Sequence, residues 1–273
     1  MSRPKDLPDF EAPPIAEAVL SVQFAMPNGY QHIYAKDVWE LFEAEFPNVS
    51  ELGPLSPTFE VFGNRQVSFG QLSLTPLAMP PYLRYWFLNE DGTSLLQFQP
   101  DRFLQNWRNH TAPGVSYPRF ENIRGQFEKN LAKLNEYFKS KGWGSIAPNQ
   151  CELTYINFIP LHGDKPELCQ PSFYFRKINP DFGEGSTDFA LRLQKELLSP
   201  DKTPRARIYV DGTIGLDSEN RRTLNLTLTM RGAPEKADIP SSLSFLEGAR
   251  DVLVRSFTEL TSDQAHKLWG RKQ

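Results

Sequence analysis

Cysteine and histidine are scarce in this sequence, and their scarcity limits the chemistry that the chain can carry. Among 273 residues there are two cysteines, Cys151 and Cys169, and four histidines. Two cysteines are too few for a disulfide framework, and neither has a second cysteine or a histidine at metal-ligand spacing. We therefore expect two reduced thiols and no metal site.

The sequence also lacks the common signatures of nucleotide binding and acyl transfer. It contains no GxxxxGK[ST] loop, no GxGxxG between a strand and a helix, and no GxSxG elbow. His32, His110 and His162 are isolated and form no HxH or HExxH pattern. These absences weaken the familiar enzyme classes, and the sequence predicts no cofactor.

Long apolar runs and blocks of one charge sign are missing as well. The N-terminus, MSRPKDLPDFEAPP, lacks the apolar stretch of a signal peptide, and the first apolar run is interrupted by Ser21 and Gln23. The net charge is −3, and the lysines and arginines are dispersed along the chain. We expect a cytoplasmic protein, with neither a membrane nor nucleic acid in general as its partner.

Regular patterns of apolar residues are present throughout the chain. Alternation predicts a strand at 18–24. Its apolar face carries Ala18, Leu20, Val22 and Phe24, and the other face carries Glu17, Val19, Ser21 and Gln23. Further strands are predicted at 59–62, 66–74, 82–89, 94–99, 151–159, 189–197, 206–216 and 222–230. The Asp-Gly pair in residues 89–92 favours a tight hairpin between two of these strands.

Three helices are predicted from apolar residues spaced by three and four. The first runs from residue 34 until Pro47 stops it, the second from about 119 to 141, and the third from about 242 to 260. A short capped turn then ends near Trp269 and Gly270. This order predicts an α+β fold with antiparallel sheet packed on long amphipathic helices. It also suggests two pseudo-equivalent halves, at 12–145 and 150–270, while the length of 273 residues leaves the number of domains open.

Five stretches spread from end to end resemble a known family. They are PPIAEAVLSVQF, FLNEDGTSLLQFQPDRFLQNWR, YPRF, ELTYINFI and FTELTSDQAHKLWG. Together, in this order, they are similar to a sporadically distributed family of uncharacterised prokaryotic proteins of about this length. The resemblance implies a bacterial or archaeal origin and one full-length unit, and it implies no activity, cofactor or catalytic residue.

Glu17 is the first candidate site residue, because it places a carboxylate where a strand approaches the core. On the same strand face as Ser21 and Gln23, it could project into a polar cleft and bind a cation or accept a proton. Alternatively, its head group lies in water at the start of the strand or pairs with an arginine across the sheet. The sequence leaves these alternatives open.

Five further residues are candidates for contact with a ligand or a partner. Asn157 lies inside an otherwise apolar strand and needs a hydrogen-bond partner, either in the protein or in a ligand. Trp107 and Arg108 could stack on or pair with an anionic ligand, although Trp107 could equally cover the core. His266 and Trp269 share one helix face, where a lone histidine is more often a capping or surface group than a base.

These residues support two readings of the function. The first is a non-catalytic module that binds an unknown protein or small molecule, with the polar face of Asn225, Thr227 and Thr229 as a possible lining. By analogy with the sporadic distribution of the family it resembles, such a module could be an accessory of a mobile defence or toxin–antitoxin locus. The alternative is an enzyme of an unrecognised class that uses Glu17 with a nearby arginine.

Overall fold

A single antiparallel sheet dominates the architecture of the chain. The computed structural model describes residues 4–62, 82–109, 115–178 and 188–272. Within them, nine strands pair in the order β2-β3-β4-β5-β1-β6-β9-β8-β7. Their bounds are β1 Ile15–Phe24, β2 Asn48–Leu52, β3 Arg84–Leu88, β4 Ser94–Gln99, β5 Arg102–Arg108, β6 Pro148–Pro160, β7 Ala190–Leu198, β8 Pro204–Leu216 and β9 Arg222–Gly232. The predicted α+β class with antiparallel sheet is confirmed.

Helices cover one face of this sheet. They are α1 Tyr34–Glu40, α2 Phe120–Ser140, a 3₁₀ turn at Pro166–Cys169, α3 Pro171–Tyr174, α4 Ile239–Leu260 and α5 Asp263–Leu268. Phe127 of α2 stacks on Phe103 of β5 with ring centroids 6.1 Å apart, and Phe138 meets Phe24 edge-on at 5.7 Å. No helix in the described ranges is long and apolar enough to cross a membrane.

The opposite face of the sheet is mostly polar, and we call it the polar face. Because side chains alternate along each strand, the buried Ala18, Leu20 and Val22 of β1 point towards the helices. The intervening positions point the other way. Across six strands the polar face carries, among others, Gln97, Asn106, Glu17, Thr154, Thr229 and Tyr209.

Several predicted elements differ from the observed ones. Helix α1 ends at Glu40, and turns rather than helix carry the apolar stripe on to Phe46. The edge strand β2 and the buried strand β5 were not predicted. Residues 59–62 form no strand although they alternate, and the run predicted at 66–74 lies outside the described residues.

Candidate functional site

Glu17 ends a hydrogen-bonded row of side chains on the polar face. Its Oε1 accepts from Asn106 Nδ2 at 2.5 Å, and Asn106 Oδ1 accepts from Gln97 Nε2 at 2.9 Å. Gln97 Oε1 in turn accepts from Arg84 Nη1 at 3.1 Å and from Trp86 Nε1 at 3.0 Å. The guanidinium of Arg84 can only donate hydrogen bonds, and the carboxylate of Glu17 can only accept them. These two ends of the row therefore fix the orientation of the amide groups between them. Glu17 therefore holds a network across four strands.

We predict that Glu17→Gln folds but lowers the free energy of unfolding by about 1 kcal/mol, the difference between a charge-assisted and a neutral hydrogen bond. Urea unfolding at neutral pH measures this change. The matched control is Glu51→Gln, since Glu51 is an exposed carboxylate on the edge strand β2. Equal stability of Glu17→Gln and the control would contradict the structural role of Glu17.

Arg108 and Trp107 point to opposite faces of β5. Arg108 is buried on the polar face, donates from Nε to the carbonyl oxygen of Gly92 at 2.8 Å, and lies over the ring of Trp86. Its guanidinium therefore secures the β3–β4 hairpin. Trp107 is buried on the helix side, where it meets Tyr117 edge-on at 5.3 Å. Trp107 is a core residue, and its placement removes it as a contact for a ligand at the surface.

Asn157 lies on the helix side of β6 and finds its partner within the sheet. Its side chain is 2% exposed, and Nδ2 donates to the carbonyl oxygen of Leu226 on β9 at 2.9 Å. This bond satisfies part of the amide's hydrogen-bonding requirement inside an apolar strand. A cavity of about 50 Å³ adjoins it, which is room for little more than water. Asn157 is therefore not presented to a large ligand.

His266 is buried, which corrects the expectation of a capping or surface group. It is 2% exposed and stands between Thr261 Oγ1, 2.8 Å from Nε2, and Arg271 Nη1, 3.2 Å from Nδ1. Because the guanidinium can only donate, Nδ1 accepts and Nε2 carries the proton. Burial, with Arg271 and Arg176 nearby, lowers the pKa of His266 and keeps its ring neutral. The histidine is thus part of the C-terminal packing.

Trp269 belongs to the same buried cluster. It is almost fully buried, and its ring stacks on Tyr174 at 6.1 Å and packs against Phe257 at 5.2 Å. Phe10 of the N-terminal segment contacts both His266 and Trp269. The shared helix face was predicted correctly, but it faces inwards, and neither residue is available to a ligand at the surface.

A cluster of opposite charges on β7, β8 and β9 was missed by sequence reasoning. Arg207 Nη1 donates to Glu60 Oε2 at 2.7 Å, and Arg207 Nη2 donates to Glu196 Oε1 at 2.6 Å. Tyr209 donates its hydroxyl hydrogen to Glu60 Oε1 at 2.5 Å. A signal was present in the sequence, because Arg207 and Tyr209 alternate with the apolar Ala206, Ile208 and Val210. Their partner, however, lies 147 residues away from Arg207.

Glu60 reaches this cluster because residues 53–62, which we call the strap, cross the polar face. Thr58 N donates to Gln23 Oε1 on β1 at 3.0 Å, which places the strap over the middle of the sheet. Between the strap and the sheet lies a cavity of about 330 Å³. Its lining includes Ser21, Gln23, Arg102, Gln150, Glu152 and Arg231.

Gln150 is the polar group of this cavity that lacks a partner. Its side chain is nine-tenths buried, and in the part of the chain that the structure describes its Oε1 atom has no hydrogen-bond partner. Gln150 also lines a second cavity, of about 520 Å³, beside Glu60 and Phe62. A buried acceptor without a partner costs about 1–3 kcal/mol, so a donor from a bound molecule would stabilise it.

The thiol of Cys151 lies on the helix side of β6, opposite Val22, and is not a nucleophile of the polar face. Burial raises the pKa of Cys151 to about 12, which keeps its thiol protonated and poorly nucleophilic. Both cysteines are free. Among the described residues, no group of three or more histidine, cysteine, aspartate or glutamate side chains could hold a metal ion.

Comparisons with known proteins do not extend this picture. No protein-family model matches the chain. No match was found among curated proteins either. The chemistry of the polar face is therefore the basis for a functional assignment.

Proposed function

We propose that the chain is a non-catalytic binding module whose binding surface is the polar face of the sheet. The observation that carries this proposal is the 330 Å³ cavity under the strap, with the partnerless Gln150 Oε1 in its wall. Cavities of this size hold small ligands or single side chains of a partner, and a few placed polar groups orient them. The cavity offers donors on Arg102 and Arg231, and Gln150 in its wall carries an unused acceptor that would have to turn towards a bound molecule.

The placement of the cavity supports the same proposal. It lies where β1 meets β6, and from this junction the strands run outwards through β5 to β2 on one side and through β9 to β7 on the other. We propose that these two sides are the pseudo-equivalent halves expected from the element order. A ligand at the junction would then contact both halves.

Catalysis by Glu17 with an arginine is the competing proposal, and the geometry supports it less. Arg108 pairs with Glu17 in the strand register, but its Nε atom bonds to Gly92. Asn157 and His266 lie on the helix side of the sheet, away from Glu17. Convergence of these four residues on one pocket would have favoured an enzyme, and they are dispersed.

A role as an accessory of a mobile defence or toxin–antitoxin locus is proposed from the family resemblance alone. Its support is the sporadic distribution of the family that the chain resembles. The identity of the neighbouring genes tests it. The expectation that nucleic acid in general is not a partner remains a prediction and is supported by the net charge of −3.

Binding at the cavity is tested by thermal unfolding with a panel of nucleotides, amino acids, sugars and short peptides. A ligand present at 100 times its Kd stabilises the protein by about 2.7 kcal/mol. For a chain of this size that corresponds to a rise in Tm of roughly 5–10 °C. We expect at least one class to give such a shift with the unmodified protein.

Two variants locate the bound molecule. Gln150→Leu removes the free acceptor and should weaken binding by roughly 2- to 10-fold, the worth of one hydrogen bond. Thr227→Val is the matched control, because it removes a hydroxyl from the same face without lining the cavity. A panel without any shift, or a shift that responds to Thr227→Val and not to Gln150→Leu, would count against the proposal.

A further inference from the structure

The sheet holds the strap mainly through the backbone of the strap. Gln99 accepts from Leu55 N at 2.8 Å and donates to Leu55 O at 3.0 Å. Arg102 donates to Ser56 O at 3.0 Å, and Gln23 accepts from Thr58 N at 3.0 Å. These bonds come from side chains of three strands, and they recognise main-chain atoms that every peptide has. The polar face thus binds an extended chain without reading most of its side chains.

One side chain of the strap is recognised strongly. The carboxylate of Glu60 is 2% exposed and meets Arg207, Tyr209 and, at 3.5 Å, Arg231. Three donors that converge on one buried carboxylate form a built site for an acidic group. Arg207 also donates to Val61 O at 3.1 Å and lies over the ring of Phe62. The sheet therefore binds the strap through its main chain and through one acidic side chain, that of Glu60.

The strap resembles a bound peptide more than a part of the core. Residues 59–62 alternate, with Glu60 and Phe62 turned to the sheet and Phe59 and Val61 exposed, yet no strand in the described part of the chain pairs with them. Pro54 and Pro57 restrict the backbone angle φ, so the extended form loses little entropy on binding. This is the arrangement expected of a segment that occupies a peptide-binding surface.

We propose that an extended acidic segment of a partner protein binds the part of the polar face that the strap occupies in its own chain. The inference rests on the proposed function and names the partner's chemistry: a proline-containing extended peptide with a glutamate or aspartate in the site formed by Arg207, Tyr209 and Arg231. Charge complementarity supports this choice of occupant, since these donors already enclose a carboxylate. Displacement of the strap would also open the cavity that it covers.

Release of the strap leaves no arginine without a partner. Arg207 retains Glu196, and Arg231 retains Glu152 at 2.5 Å. Glu60→Gln should therefore remain folded while the strap loses its strongest contact. In the unmodified protein the strap competes with a free peptide for the polar face, and as an attached segment it does so at a high effective concentration. A free peptide therefore binds the unmodified protein poorly.

The test uses a fluorescein-labelled peptide with the strap's own sequence, GPLSPTFEVF, amidated at its C-terminus so that the glutamate is the only carboxylate of the peptide itself. Fluorescence anisotropy is measured against the full chain and against its Glu60→Gln variant. We expect the variant to bind the peptide about tenfold or more tightly than the unmodified protein, because its own strap competes less. A folded Glu60→Gln variant that does not bind the peptide would overturn the inference.

A matched peptide, GPLSPTFQVF, tests the recognition of the acid. It should bind the Glu60→Gln variant about tenfold or more weakly than the glutamate peptide, and equal binding of the two peptides would also overturn the inference. If Glu60→Gln is unfolded, amide hydrogen exchange of the unmodified protein replaces it. Excess glutamate peptide should then speed exchange at Leu55 and Thr58, and unchanged exchange would contradict displacement.

Failure of this inference is distinguishable from failure of the proposed function. A small molecule that still raises Tm in a Gln150-dependent way, while the peptide does not bind, would refute the acidic partner and leave the binding module intact. Failure of both would refute both.

Discussion

Arg250→Ala is expected to lower the free energy of unfolding by about 3–5 kcal/mol, the loss typical of a buried ion pair broken on one side. Arg250 is 1% exposed, on α4, and donates to Glu121 of α2 and to Asp251, each at 2.6 Å. Its guanidinium also lies 5.0 Å from the ring centroid of Phe120. The alanine variant would leave Glu121 without this cation and would open a cavity beside Phe120.

Denaturant unfolding measures this loss, and Arg255→Ala is the control. Arg255 lies on the same helix and also pairs with a carboxylate, Asp6, but that pair is exposed and is expected to contribute little. Combining Arg250→Met with Glu121→Gln should recover part of the stability, because both charges are then absent. If Arg250→Ala unfolded at the same denaturant concentration as Arg255→Ala, the buried ion pair between α4 and α2 would contribute no more to stability than an exposed one.

Elements with one buried face could be predicted from the sequence, because their periodicity is visible. Leu224, Leu226, Leu228 and Met230 alternate along β9 and are all buried, and the predicted helix at 119–141 is observed at Phe120–Ser140. Strand β5 was missed for the opposite reason. All seven of its residues are buried, and they include Arg102, Gln105, Asn106 and Arg108, so its sequence RFLQNWR resembles a loop.

The candidate site was predicted only in part, because its bonds join distant segments. Alternation predicted the sheet face on which Glu17 lies. It could not predict the hydrogen-bond partner, because Asn106 is 89 residues away in the sequence. The strap shows the same limit, since Glu60 and Arg207 are brought together by the path of residues 53–62 across the sheet. The strand predicted at residues 59–62 was wrong, because side chains of the sheet bind this segment and it is not paired with a neighbouring strand of the described residues.

Leu131→Ala is expected to lower the free energy of unfolding by about 2–5 kcal/mol, through lost apolar contact and the cavity that remains. Leu131 is 0% exposed, in the middle of α2, on the face that packs against the sheet. Its neighbour Asn130 donates to Gln105 Oε1 on β5 at 3.0 Å, so the helix has little freedom to move into the space left behind. A cavity that cannot collapse places the loss towards the upper part of this range.

Urea unfolding followed by circular dichroism checks this loss, with Lys129→Ala as the control. Lys129 is exposed on the same helix, and its replacement should change stability by less than about 0.5 kcal/mol. The dependence of the unfolding free energy on urea concentration should stay the same in both variants, because the surface exposed on unfolding barely changes. Equal unfolding midpoints for Leu131→Ala and Lys129→Ala would mean that α2 does not cover the sheet, and the division into a helix-covered face and a polar face would then be wrong.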